Sequence, residues 1–155
     1  MNIYLVQHGK PIPKEEDPDR PLSVQGKNDV ERMADFLLKA GIHLEEIFHS
    51  GKTRAGQTAE IIAYRLKPGD TPLIKETLAP LADVKVIAEE IGQNQKDIML
   101  VGHLPHLAKL TAYLTSGNES GSVVGFQQGG VVCLRREADG EGWTIAWMLI
   151  PEIIK

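Results

Sequence analysis

Two apolar runs, Asn2-Ile3-Tyr4-Leu5-Val6 and Ile98-Met99-Leu100-Val101, each stop abruptly where a histidine meets a glycine, at His8-Gly9 and at Gly102-His103. Runs this short and this uniformly apolar have the length of strands buried on both faces. Between them the period of the pattern changes. Ser23 offers an N-cap, Val30, Met33, Leu37 and Ala40 recur at three- and four-residue spacing, and Gly41 closes the segment as a C-cap. Ile47-Phe48 predict a second short strand. A helix then follows with Thr53 as its cap and Ala55, Ala59, Ile62, Ala63 and Leu66 along it, ended by Pro68-Gly69. Asp83 predicts the start of a helix through Val84, Ile87, Ala88 and Ile91. Pro105 fits the first turn of another, with Leu107, Leu110 and Leu114 inward and Gly117 at its end.

Strands alternating with helices predict an α/β fold: a three-layer α/β/α sandwich, its sheet mostly parallel with helices on both faces. The last third changes character. Val123-Val124, Val131 to Leu134 and Trp143 to Leu149 read as strands, with Asp139-Gly140 and Gly142 turning between the last two. An antiparallel C-terminal hairpin at the sheet edge is expected. By contrast, the stretch through Pro11, Pro13, Pro18 and Pro21 lacks the backbone donors for a helix or central strand and predicts a loop.

A chain of 155 residues is long enough to bury one substantial core, so a single domain is expected over 1–155. With 42% hydrophobic and 25% charged residues, neither disorder nor a fibrous architecture applies. The formal net charge of −4 gives no general attraction to nucleic acid or to anionic membranes, so any phosphate site must be local. Cys133, the only cysteine, excludes an intrachain disulfide and reads as a buried structural thiol in its apolar run. No apolar stretch approaches the roughly 20 residues of a membrane span, and the N-terminus shows no basic segment followed by a long apolar one; a cytoplasmic location is expected.

In open α/β sheets, ligands bind outside the carboxyl ends of the strands. His8 follows the first predicted strand, Arg54 the second, and His103 the strand ending at Val101. Three polar residues at equivalent positions predict one site. Imidazole is a competent nucleophile near neutral pH and arginine presents planar, permanently charged donors to phosphate oxygens, so phosphoryl transfer is the indicated chemistry. Zinc would require a third ligand at short spacing, and none accompanies the two histidines, so no metal and no cofactor is expected. His43 and His49 read as structural. His106 stands one residue past Pro105, where it faces either the site or solvent.

Gln7-His8-Gly9 after a strand, the segment His49-Ser50-Gly51-Lys52-Thr53-Arg54-Ala55-Gly56-Gln57-Thr58-Ala59, and Val101-Gly102-His103 resemble in order the signatures of the histidine phosphatase superfamily, the phosphoglycerate mutase-like group. Leu81-Ala82-Asp83-Val84, Gly102-His103-Leu104-Pro105 and the small size look most like its SixA-type phosphohistidine phosphatase branch. The resemblance implies that His8 attacks phosphorus to give a phosphohistidine intermediate. Arg54 and His103 then hold the equatorial oxygens, His103 best as imidazolium, and water regenerates the enzyme. It also implies a substrate that is phosphohistidine in a protein or a small phosphorylated metabolite.

One position departs from the family. The residue before the histidine is an arginine there and Gln7 here, which keeps a donor but loses the charge and the five-donor fork. Lys10 and Lys52 are the nearest candidates to complete the phosphate-binding set of Gln7, His8, Arg54 and His103. No general acid stands out: Glu76, Asp83, Asp17 and Asp19 are the carboxylates at hand, and Asp83 doubles as a helix cap. A phosphohistidine substrate needs such an acid least, because protonated imidazole leaves readily. The alternatives are a phosphomonoesterase acting on a small metabolite and a degenerate phosphate- or phosphoprotein-binding module.

Overall fold

The computed structural model describes residues 1–140 and 142–154. Six strands form one sheet in the order β3-β2-β4-β1-β5-β6: β1 (Asn2–Gln7), β2 (Glu46–His49), β3 (Leu73–Ile74), β4 (Ile98–Gly102), β5 (Val131–Arg135) and β6 (Thr144–Leu149). The β1/β4, β2/β4 and β2/β3 pairs are parallel, whereas β5 pairs antiparallel with β1 and β6 antiparallel with β5. Helices α1 (Val24–Lys39), α2 (Thr53–Leu66) and α3 (Val84–Gln93) connect the parallel strands, α4 (His106–Ser116) leads from β4 to the antiparallel β5, and the four flank the sheet.

Alternation along β1 explains the layers. Tyr4 and Val6 point into a core with Met99, Val101 and the apolar sides of α1 and α2, including Val30, Met33, Leu37, Ala59 and Ile62. Ile3 and Leu5 point the other way, with Leu100, Ile87, Ile91, Leu107 and Leu110 of α3 and α4. Every residue of β4 is buried, as expected of a strand covered on both faces. The three-layer architecture and the antiparallel C-terminal strands therefore agree with the sequence pattern. Cys133 lies in the first core, fully buried, where burial raises its thiol to about 11.

Local chemistry sets the helix ends. Ser23 Oγ accepts from the Gly26 N–H at 3.0 Å and caps α1, and Asp83 Oδ1 accepts from the Lys85 N–H at 2.9 Å and caps α3. Thr53 is not a cap: it is the first helical residue of α2, and Lys52 occupies the cap position without a side-chain bond. Gly41 and Gly117 follow α1 and α4 with φ of 75° and 79°.

Two strand assignments need correction. Val123-Val124 is irregular, and Val124 packs against the second core as a loop residue among Gly121, Ser122 and Gly125. Edge strand β3, which the pattern does not announce, pairs with β2 through Phe48–Leu73 and His49–Ile74. Among the described residues no helix is long and apolar enough to cross a membrane.

Candidate active site

The loop after β1 is held from three sides. Gln7 stands in register with Gly102, and the His8 N–H donates to the Gly102 carbonyl of β4 at 3.1 Å. Gly129 N–H donates to the carbonyls of Gln7 at 2.9 Å and His8 at 3.2 Å. Gly9 N–H donates to Thr58 Oγ1 at 2.9 Å, and that hydroxyl donates to the Arg54 carbonyl one turn earlier in α2, at 2.8 Å. Two glycines permit the fit. A Cβ on Gly9 would lie 2.8 Å from Val30 Cγ2, and one on Gly26 would overlap the Lys10 carbonyl oxygen. α1 therefore packs directly on the backbone that carries His8.

His8, Arg54 and His103 do converge. The His8 and His103 ring centroids are 5.0 Å apart with planes inclined at 49°, and the two residues are only 7% and 2% exposed. His8 Nδ1 lies 2.7 Å from the Gly9 carbonyl, a contact that requires the proton on Nδ1 and leaves the lone pair on Nε2. Arg54 Nε–H donates toward that nitrogen at 3.4 Å. His103 Nε2 is hydrogen-bonded to Ser50 Oγ at 2.6 Å, while its Nδ1 is buried without a partner.

The electrostatics follow from burial among cations. Burial holds His8 well below the ordinary imidazole value, at about 4; the Gly9 carbonyl opposes this, and the Arg54 and Arg20 charges add to it. Burial likewise lowers His103 to about 3, helped by His8, Arg54, Lys52 and His106. His103 is thus neutral near pH 7 in this surrounding, contrary to the imidazolium expected from the sequence. A neutral ring is the cheaper state where the neighbouring charges are positive. Among the described residues, the permanent charges found to act on these two rings are those of Arg20, Arg54 and Lys52.

The lysines fit less well than the arginine. Lys10 is exposed, and its Nζ bonds Gln25 Oε1 at 3.4 Å. Lys52 is exposed too, yet its charge reaches His103. Gln7 is buried, its Oε1 unpartnered, and it lines a cavity of about 870 Å³ with Lys10, Gln25, Asn28 and Gln127. That cavity adjoins the site at Gln7 without including either ring. His106 does not face solvent: it is fully buried, near enough to act on His103. His49 is structural, its Nδ1 accepting from Gly51 N–H at 3.1 Å. Of the candidate acids, Asp83 is engaged as a cap, Asp17 Oδ1 accepts from Asp19 N–H, and Glu76 is exposed.

Sequence reasoning missed Arg20. Its charge bears on both His8 and Arg54, and its backbone takes φ of 47°. It is the one arginine between β1 and α1, in a chain without one before His8, and that was the available signal. Ser50, Gln57 and Thr58 belong to the segment that carried the resemblance, but their tasks appear only in three dimensions. Gln57 Oε1 accepts from Leu22 N–H at 2.7 Å and ties the Arg20 loop to α2. Among the described residues no group of three or more His, Cys, Asp or Glu side chains is placed to hold a metal ion.

Known proteins share this arrangement of elements. Residues 3–81 match the model of the histidine phosphatase superfamily (branch 1). An uncharacterized protein of Picosynechococcus sp. is 31% identical over 146 residues, covering 89% of this chain and 87% of its own. Phosphohistidine phosphatase SixA of Escherichia coli strain K12 is 23% identical over 97% of this chain and 94% of its own. A solved structure of the protein histidine phosphatase SixA complexed with tungstate superposes with a TM-score of 0.86, covering all of both chains at 22% identity. On the match over residues 3–81 and the 31% identical relative, the chain belongs to the histidine phosphatase superfamily, branch 1, on a fold it shares with SixA.

Proposed function

We propose that this chain is a phosphatase that takes the phosphoryl group of phosphohistidine in a protein onto His8 and then delivers it to water. One observation carries the reading: His8 Nδ1 is tied to the Gly9 carbonyl, so Nε2 keeps its lone pair beside Arg54, with the charges of Arg54 and Arg20 acting on the ring. Nε2 attacks phosphorus as the bond from phosphorus to the substrate imidazole breaks. That leaving ring departs neutral if its other nitrogen was protonated, so no acid has to supply a proton. Water then attacks phosphorus, the P–Nε2 bond breaks, and inorganic phosphate leaves with His8 restored.

Arg54 and His103 hold the nonbridging oxygens in both steps, where positioning and charge stabilisation supply most of the catalysis. A phosphate dianion favours a protonated His103, against the pull of burial and the neighbouring cations. A phosphohistidine substrate suits this site because its protonated imidazole leaves without an acid, whereas the alkoxide leaving group of a monoester needs a proton.

The test is parallel incubation with a phosphohistidine-bearing protein and a phosphate monoester, without added metal. We expect the first to be turned over far faster, chelators to leave the rate unchanged, acid-labile phosphate to be trapped on the enzyme, and His8→Ala to abolish both trapping and turnover. Residual turnover in His8→Ala overturns the nucleophile; equal or greater monoester turnover overturns the substrate class. Phosphate binding without turnover of either substrate replaces the enzyme with a binding module.

A further inference from the structure

The site is one charge poorer than its family pattern, because Gln7 is neutral, and Gln7 lines the large cavity that adjoins the site. Neither lysine expected to make up the difference is well placed: Lys10 bonds Gln25, and Lys52 is exposed at the start of α2. Arg20 differs from both. Its Nε is sealed from solvent and has no hydrogen-bond partner. Among the described residues it makes no ion pair, since the five pairs present use Arg32, Arg65, Lys67, Lys75 and Lys96. It nevertheless stands where its charge acts on His8 and Arg54.

A guanidinium whose charge bears on a second guanidinium and an imidazole, with one donor buried and unbonded, is unfavourable for the protein alone. The chain maintains it deliberately. Arg20 adopts a left-handed backbone, φ 47°, that non-glycine residues seldom take, and such strain gathers at functional sites. The loop is fastened on both sides of it by Arg20 N–H to the Asp17 carbonyl at 3.0 Å, Ile12 N–H to the Pro21 carbonyl at 2.7 Å, and Leu22 N–H to Gln57 Oε1. Gln57 lies one helical turn from Arg54, so α2 places both arginines. Arg20 also lines a surface cavity of about 440 Å³ with Lys10 and Gln128, and both of these border the cavity lined by Gln7 as well. The two cavities are separate but adjoin at Lys10 and Gln128, and Glu15 lines the one that holds Arg20.

We propose that Arg20 is a phosphate-binding catalytic residue of this site, supplying from the loop the guanidinium that β1 lacks at Gln7. The proposal rests on the phosphatase reading and specifies where its second arginine comes from. Its N–H groups take a nonbridging oxygen opposite Arg54, and the anion satisfies the buried Nε and separates the two like charges.

The experiment compares wild type, Arg20→Asn, Arg20→Lys, Gln7→Arg and the double variant Gln7→Arg/Arg20→Asn. Readouts are kcat/KM on the phosphohistidine protein, the inhibition constant of inorganic phosphate, and the melting temperature. Asparagine tolerates the left-handed backbone, so Arg20→Asn removes charge with little change in strain. We expect Arg20→Asn to lose about a hundred- to a thousandfold in kcat/KM and to weaken phosphate inhibition at least tenfold, with Arg20→Lys in between. Gln7→Arg should restore at least tenfold when added to Arg20→Asn, and give less than threefold in wild type. Arg20→Asn within threefold of wild type overturns the proposal. So does lost activity with unchanged phosphate inhibition and a lowered melting temperature, the mark of a residue that only shapes the loop. An inactive wild type strikes instead at the phosphatase reading, and phosphate binding by calorimetry across the same variants then decides on Arg20.

Discussion

Burial keeps the His8 ring neutral, and this has a consequence in pH. With a value of about 4 in the folded protein against the ordinary 6.5, the ring binds fewer protons folded than unfolded between those limits. Stability therefore rises with pH through this window and is lost as pH falls from about 6.5 to 4. His103, at about 3, acts in the same direction and slightly lower. Urea unfolding followed from pH 7 to pH 4 should show a loss on the order of 2 kcal/mol for each ring. His8→Gln should remove its share, and an unchanged slope in that variant would refute the account. The same ring predicts a kcat/KM that is level above pH 6 in this limb and falls tenfold per unit below about pH 4, as Nε2 protonates. At this scale the sequence was informative where residues follow strands: the convergence of His8, Arg54 and His103 was legible because a parallel sheet aligns its carboxyl ends. Arg20 follows no strand, and only the closure of its loop on Gln57 brings it in.

Helix α2 works through one face, where Arg54, Gln57 and Thr58 at spacings of three and four residues meet, respectively, His8, the Arg20 loop and Gly9. Thr58→Val keeps the shape and leaves the buried Gly9 N–H unpaired. It should cost about 1–3 kcal/mol in denaturant unfolding and lower kcat more than it raises KM. Helix α1 contributes through Gly26. Ala at that position would push the helix off the Lys10 carbonyl, with a stability loss of about 1–3 kcal/mol and a drop in turnover, both measurable on the purified variant. Gly26→Ala with wild-type melting temperature would mean that the helix and loop separate more easily than their packing implies. The elements that escaped the pattern escaped for physical reasons. β3 is two exposed residues, Leu73 and Ile74 at 53% and 64%, too short for any period. Val123-Val124 has the composition of a strand, yet flanking Gly121 and Gly125 leave it irregular and only Val124 is recruited to the core.

Across the whole molecule, the site straddles regions of different cohesion. Strand β1 is paired on both sides, by β4 and β5, and residues Ile3 to Gln7 are buried. The segment carrying Arg20 is closed by the single Pro11–Leu22 bridge and a few hydrogen bonds, and Pro13 to Glu16 are exposed. Amides of the first kind exchange with solvent only when the molecule unfolds, whereas those of the second are released by local opening. The free energies needed to unseat the two flanks of one anion pocket therefore differ widely. Hydrogen exchange should therefore find the amide of His8 better protected than that of Arg20, the order expected if the grip on phosphate loosens before the nucleophile is disturbed.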